Sequence, residues 1–211
     1  MADSSSSPSS APPLEAVLCD LDGVVRHWDD SMERVDRAFG LAPGTTARVA
    51  FAPERLLPAI TGRISDDEWR DQVADGLVEH CGSAERARKL VAEWSEPRGR
   101  IDQDVLAFLA SVRPHLPVVL VTNQTTRLES DLAALGLAEA FDAVVNSARV
   151  GFAKPDPRIY TFAARRTGAA PGRCLFVDDT PRNVETAREL GMIGHHYTDL
   201  ATLHSALRLP T

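Results

Sequence analysis

Five short apolar runs, each closing on polar residues, constrain this chain more than any other feature. Ala16-Val-Leu-Cys-Asp20, Val118-Val-Leu-Val-Thr122, Ala143-Val-Val-Asn146 and Cys174-Leu-Phe-Val-Asp178 are apolar without alternation, and Met192-Ile-Gly-His-His-Tyr197 is a weaker fifth. Runs that are apolar on both faces suit interior strands of a parallel sheet, covered by helices on either side. Helix-period segments lie near 102–113, 127–135, 155–168 and 181–191, the last with Val184, Ala187 and Leu190 on one stripe. The alternation predicts an α/β fold: a doubly wound, Rossmann-like parallel sheet between helical layers.

One interval breaks the rhythm. About eighty residues separate Asp22 from the helix beginning near Asp102, several times the ordinary length of a strand-to-helix connection. An inserted α-helical cap domain is expected there. Helices are predicted over 31–39, in a short segment near 54–60, and from Ser65-Asp-Asp-Glu68, which has capping-box form and precedes Trp69, Val73, Leu77 and Cys81 at a spacing of four. A last cap helix over 84–95 aligns Ala87, Leu90, Val91 and Trp94, while the stretch with Pro43, Pro53 and Pro58 reads as loop. The expected organisation is a disordered Ser/Pro/Ala tail at 1–13, an α/β core from 14–25 and 101–211, and a cap from 26–100.

Charge and cysteine content narrow the function classes. Basic residues number 23 against 30 acidic ones, a net charge of −7, which argues against a nucleic-acid partner or an anionic membrane surface. No apolar run reaches membrane-spanning length. Cys19, Cys81 and Cys174 are odd in number and widely spaced, so neither a disulfide framework nor a zinc site is indicated, and a cytoplasmic location is expected. The chain is long enough to be stable as a monomer or homodimer.

In open parallel sheets, ligands bind beyond the carboxyl ends of the strands. The residues expected there are Asp20 with Asp22, Thr122 with Asn123, Asn146 with Ser147, and Asp178 with Asp179. Four carboxylates on one rim repel each other unless a cation intervenes, and an all-oxygen set suits Mg2+. Gly23 permits a tight exit from the first strand and the approach of backbone amides to an anion. Only two of the basic residues are lysines, and one of them, Lys154, precedes a proline able to start a helix facing the acidic rim. Thr122 and Asn123 offer a hydroxyl and an amide to a phosphoryl oxygen; a strand-terminal N-cap is the ordinary alternative. Asn183 stands where it could orient Asp178 or lie on a helix surface.

Four pieces, Asp-Leu-Asp-Gly-Val at 20–24, Val-Val-Leu-Val-Thr-Asn at 118–123, Lys-Pro-Asp-Pro-Arg-Ile-Tyr at 154–160 and Phe-Val-Asp-Asp-x-x-x-Asn at 176–183, together resemble the haloacid dehalogenase-like hydrolase superfamily in order and spacing. In particular the chain looks like the members whose helical cap follows the first motif, including sugar-phosphate and phosphoglycolate phosphatases, β-phosphoglucomutase and the amino-terminal phosphatase domain of epoxide hydrolases. The resemblance implies a Mg2+-dependent phosphatase acting on a small phosphorylated metabolite such as a sugar phosphate. It assigns Asp20 as nucleophile forming an aspartyl-phosphate, Asp22 as acid and base, and Thr122 and Lys154 as phosphoryl-binding groups. The metal would be held by Asp20, the backbone carbonyl of Asp22, Asp178 and Asp179. Retention of Asp22 and of the Asp178/Asp179 pair speaks against dehalogenation. Lys89, the sole cap lysine, sits late in the insertion and argues against a Schiff-base phosphonatase. A phosphomutase, or a non-catalytic phosphate-binding regulator, are the alternatives. For substrate selection, Arg26 is expected to meet an anionic substituent and Trp28 to stack on a ring, with His27 between them; hinge and packing roles are the plain alternative. Trp69 and Trp94 fall on apolar stripes and read as cap core.

Overall fold

Ala16–Cys19 carries no polar side chain and lies wholly buried at the centre of a five-stranded sheet. The computed structural model describes residues 13–207, so all but the last residue of the expected 1–13 tail lies outside the described residues. In chain order the first elements are β1 (Ala16–Cys19), β2 (Arg26–His27), α1 (Ser31–Ala38), α2 (Thr45–Ala50), α3 (Pro53–Ile60), α4 (Asp66–Cys81), α5 (Ala84–Trp94) and β3 (Arg100–Ile101). There follow α6 (Gln103–Val112), β4 (Val118–Thr122), α7 (Leu128–Ala134), β5 (Ala143–Asn146), α8 (Ser147–Val150) and α9 (Pro157–Thr167). The chain then forms β6 (Cys174–Asp178), α10 (Pro181–Glu189), β7 (Ile193–His196) and α11 (Leu200–Ala206).

The main sheet runs β5-β4-β1-β6-β7 with every neighbouring pair parallel. Side-chain alternation divides β1 between two apolar layers. Val17 and Cys19 pack with Leu109, Leu128 and Leu203 from α6, α7 and α11, whereas Ala16 and Leu18 pack with Ile159, Tyr160 and Ala187 from α9 and α10. The outer strands are less covered: Val144 on β5 and Ile193 on β7 are exposed, which is why the fifth run is weak in sequence. Strand order reverses at β1, so the carboxyl ends of β1, β4 and β6 meet at the switch point where doubly wound sheets bind ligands.

The inserted helices build a separate apolar cluster drawn from residues between Met32 and Trp94. Helix α4 starts as its sequence demands: Ser65 Oγ accepts from the Glu68 amide and the Glu68 carboxylate accepts from the Ser65 amide. The stretch read as loop is different, because α2 forms within it, Pro53 opens α3 and Pro58 lies inside that helix. The reason is tertiary. Thr45, Thr46 and Ala50 are buried, and buried Asp36 of α1 accepts from both the Thr46 amide and hydroxyl. Pro53 occupies the first-turn position where its missing N–H costs nothing.

The cap joins the core through a ribbon of two residues on each side, β2 antiparallel to β3, with Arg26 opposite Ile101 and His27 opposite Arg100. Among the described residues, no helix is long and apolar enough to cross a membrane.

Candidate active site

Asp20 follows β1 and is almost fully buried. One carboxylate oxygen, Oδ1, accepts from the Leu21 amide at 2.7 Å and faces the Lys154 ammonium at 2.7 Å. Lys154 Nζ also donates to Asp178 Oδ2 at 2.7 Å. Asp178, the last residue of β6, has no exposed surface. Its other oxygen accepts from the Thr180 amide, and Asn183 Nδ2 reaches both oxygens at 3.0 and 3.1 Å. Asn183 therefore orients Asp178, one of the two roles open to it from sequence.

Lys154 is placed by its backbone. Asn123, just past β4, donates to the Lys154 carbonyl at 2.8 Å and accepts from the Lys154 amide at 2.7 Å. The Asn123 side chain expected to hold a phosphoryl oxygen is thus committed to clasping the lysine. Thr122, the buried last residue of β4, lines the same 440 Å3 cavity as Asp20, Asp22, Asn123, Lys154 and Asp179.

Asp20, Asp178 and Asp179 each direct one oxygen into a group that lies within 4.8 Å mutually. Three carboxylates, two of them buried, against one ammonium leave an excess of negative charge, an imbalance that an all-oxygen site resolves with a hard divalent cation. Burial pushes the Asp20 carboxyl well above the usual carboxylate range, with Asp178 adding to the rise against the pull of Lys154. For Lys154, burial alone would lower the ammonium, yet the charges of Asp20 and Asp178 and hydrogen bonds to both hold it above its ordinary range.

The Asp22 carboxylate stands apart from that cluster. Its Oδ1 accepts from Arg26 Nε at 2.7 Å and Trp28 Nε1 at 2.8 Å, and its Oδ2 from Arg26 Nη2 at 3.0 Å and Gln124 Nε2 at 2.6 Å. Four donors hold one carboxylate from three directions. Arg26, expected to meet a substrate anion, is instead buried with its guanidinium spent on Asp22 and lies over the Trp28 ring at 4.8 Å. Sequence reasoning misses Gln124; its sole signal is its place directly after Thr122-Asn123. Trp28 is half-exposed and lines the site cavity, as does His27. Lys89 lies on the exposed face of α5, 4.0 Å from Glu93 and away from the rim.

Gly23 differs from expectation in its amide, which donates to the Arg26 carbonyl at 2.8 Å and so is not offered to an anion. What the position requires is the absence of a side chain. Its φ is +79°, and a Cβ there would stand 2.0 Å from Asp179 Oδ2. Gly23→Ala is therefore expected to cost about 1–2 kcal/mol in backbone strain and to displace Asp179. Thermal melts with and without Mg2+ check this: any stabilisation by the cation should be smaller in the variant than in the parent.

Trp69 and Trp94 are buried in the cap as their stripes predict, with ring centroids 6.4 Å apart. With Phe51, at 6.5 and 5.8 Å from them, they also wall a second cavity that the stripes did not reveal.

Residues 14–191 match the family model of haloacid dehalogenase-like hydrolases. A phosphoserine phosphatase of Thermus thermophilus is 36% identical over 130 residues, a match covering 59% of this chain and 52% of that protein. A phosphorylated carbohydrates phosphatase of Thermotoga maritima is 27% identical over 191 residues, 85% of this chain and 82% of the relative. Among solved structures, a HAD family enzyme of Bacteroides thetaiotaomicron in complex with magnesium and inorganic phosphate superposes with a TM-score of 0.70 at 21% identity, covering 90% of this chain and 98% of that one.

Proposed function

This chain belongs to the haloacid dehalogenase-like hydrolases, and from that premise we propose that it is a Mg2+-dependent phosphatase cleaving a small phosphomonoester through an aspartyl-phosphate at Asp20. The observation that carries this reading is the Asp20 carboxylate at a strand end, flanked by Lys154 and by the Asp178/Asp179 pair, with a second carboxylate, Asp22, on the same cavity. Phosphatase names among the relatives and the magnesium–phosphate complex of a fold neighbour support it.

The donor set fits Mg2+: oxygen ligands only, negative in excess, and without the His or Cys preferred by softer metals. Asp20, Asp178 and Asp179 would hold the ion together with the Asp22 carbonyl, and the bound ion supplies neutralisation between carboxylate and phosphate. Thr122 and Lys154 hold the phosphoryl oxygens beside Asp20. An Asp20 oxygen then forms a bond to phosphorus as the ester P–O bond breaks, and its electron pair goes to the leaving oxygen, which takes a proton from Asp22. In the second half, Asp22 removes a proton from a water whose oxygen attacks the same phosphorus, and inorganic phosphate departs as Asp20 is restored. Four hydrogen bonds from Arg26, Trp28 and Gln124 occupy the Asp22 carboxylate. The acid half requires one donor to yield, and Gln124 and Trp28, which make one bond each, are the partners that can do so singly.

The expected partner is a small phosphorylated metabolite, met by a monomer or homodimer in a reducing cytoplasm, where the buried free thiols Cys19, Cys81 and Cys174 remain reduced. The test is phosphate release from p-nitrophenyl phosphate with Mg2+ and with a chelator; release that survives chelation contradicts the proposal. Proton and cation compete for Asp20. Activity falls as pH drops through its raised pKa, so raising Mg2+ should carry the acid limb of the rate profile to lower pH. A limb indifferent to Mg2+ would remove Asp20 from the metal site.

A further inference from the structure

A second cavity of about 470 Å3 lies between cap and core, a size suited to a small organic ligand. Phe51, Leu56, Ile60, Trp69 and Trp94 form its cap wall, and Trp28 joins them from the linker. It is continuous with the acidic cavity, since Asp22, Trp28 and Asn123 line both. A group attached to a phosphoryl at Asp20 would therefore extend into it past Trp28.

Most polar side chains of this cavity are already committed to one another; on two of its lining residues, Trp94 Nε1 and Ser95 Oγ are buried without a hydrogen-bond partner. Its six charged groups form three pairs: Arg26 with Asp22 at 2.7 Å, Arg70 with Asp66 at 2.5 Å and Arg127 with Asp131 at 2.9 Å. Gln124 donates to Asp22, Thr125 donates to Asp66 at 2.6 Å, and Asn123 clasps Lys154. A polyhydroxylated group entering here would surrender hydrogen bonds to water and find few replacements, a net cost. A second phosphate would meet no unpaired cation among the described residues lining the cavity. An apolar group gains contact with aromatic surface that is otherwise left wet, since Phe51 is 48% and Trp28 40% exposed.

We propose that the cap–core cavity binds the leaving group of the phosphomonoester, and that this group is a neutral aryl or alkyl moiety rather than a sugar or a bisphosphate. The inference rests on the phosphatase reading and deepens it. It separates apolar esters from the sugar phosphates that the resemblance implies.

The test combines turnover with a binding measurement that needs none. Phenyl, naphthyl and alkyl phosphates are compared with hexose and pentitol phosphates in Mg2+, with acetyl phosphate as a probe of the core chemistry alone. Apolar esters should exceed sugar phosphates by about 10-fold or more in kcat/KM. Phe51→Ala, at a half-exposed side chain, should raise KM for phenyl phosphate severalfold and shrink that preference, with Phe51→Leu retaining most of it. Benzylphosphonate should quench tryptophan fluorescence on binding, and less tightly in Phe51→Ala. Sugar phosphates turned over as well as or better than aryl phosphates, with acetyl phosphate cleaved normally, would overturn the inference and leave the phosphatase standing. Failure to release phosphate from any compound would overturn the phosphatase reading; the benzylphosphonate titration would still judge the cavity, and binding indifferent to Phe51 would reject it.

Discussion

Asp20→Asn is expected to lower Mg2+-dependent phosphate release by a factor on the order of 10^4 or more, the scale seen when a nucleophile is removed from an intact site. The amide keeps the size of the carboxylate but cannot form the acyl phosphate bond. Stability should move differently. Asp20 ionises less readily in the fold than in the unfolded chain, because burial and Asp178 outweigh the help of Lys154. A carboxyl whose folded pKa is raised costs stability once the pH exceeds its unfolded value. Metal-free Asp20→Asn at neutral pH should therefore melt no lower than the parent while its activity collapses. A functional site that is itself a source of instability accounts for both directions. A parallel loss of fold and activity would mean that Asp20 holds the structure together rather than reacting.

Lys154→Met should have the largest effect on the protein itself. The ammonium is nearly inaccessible and sits 2.7 Å from oxygens of both Asp20 and Asp178. Removing it leaves two buried carboxylates facing each other, and breaking a buried pair in this way costs about 3–5 kcal/mol. Activity should fall by about 10^2-fold or more through loss of a preorganised donor to the phosphoryl group. The pH dependence identifies the cause. Without the pull of Lys154, the Asp20 pKa rises further, so the variant takes up a proton more easily on folding. Mild acid should restore part of its stability at pH values where the parent gains nothing comparable, and Mg2+ should do the same by supplying positive charge. A melting deficit insensitive to both pH and Mg2+ would point to lost packing alone.

Much of this architecture is legible in the sequence because its signals are local. The runs 16–20, 118–122 and 174–178 are apolar on both faces, a pattern that few settings but a covered parallel sheet accommodate. Their terminal residues follow at once as rim residues. The α4 start is equally local, as Ser65 and Glu68 satisfy each other's backbone. What escapes depends on contacts distant in sequence. Helix α2 is pinned by Asp36 from another helix. The β2–β3 ribbon joins residues over seventy positions apart with two residues on each side, too few to leave a period. Arg26 looks like a free cation at an entrance until the turn after Gly23 folds it back onto Asp22. Asn123 offers an amide in the right motif, yet Lys154, thirty-one positions later, takes both ends of it. Trp69 and Trp94 occupy core positions on their helices and still leave surface for a cavity, since a stripe predicts the direction of a side chain but not whether the space beyond it is filled.

The most direct measurement is to mix the enzyme with Mg2+ and an aryl phosphate, quench in acid within a single turnover, and map the phosphorylated peptide by mass spectrometry with the digest kept cold and acidic so that the acyl phosphate survives. Phosphoryl mass should appear on the peptide carrying Asp20, rise before phosphate is released, and be absent from Asp20→Asn. Phosphate release at the parental rate by Asp20→Asn, or the phosphoryl group on any other residue, would contradict the assignment of Asp20 as nucleophile.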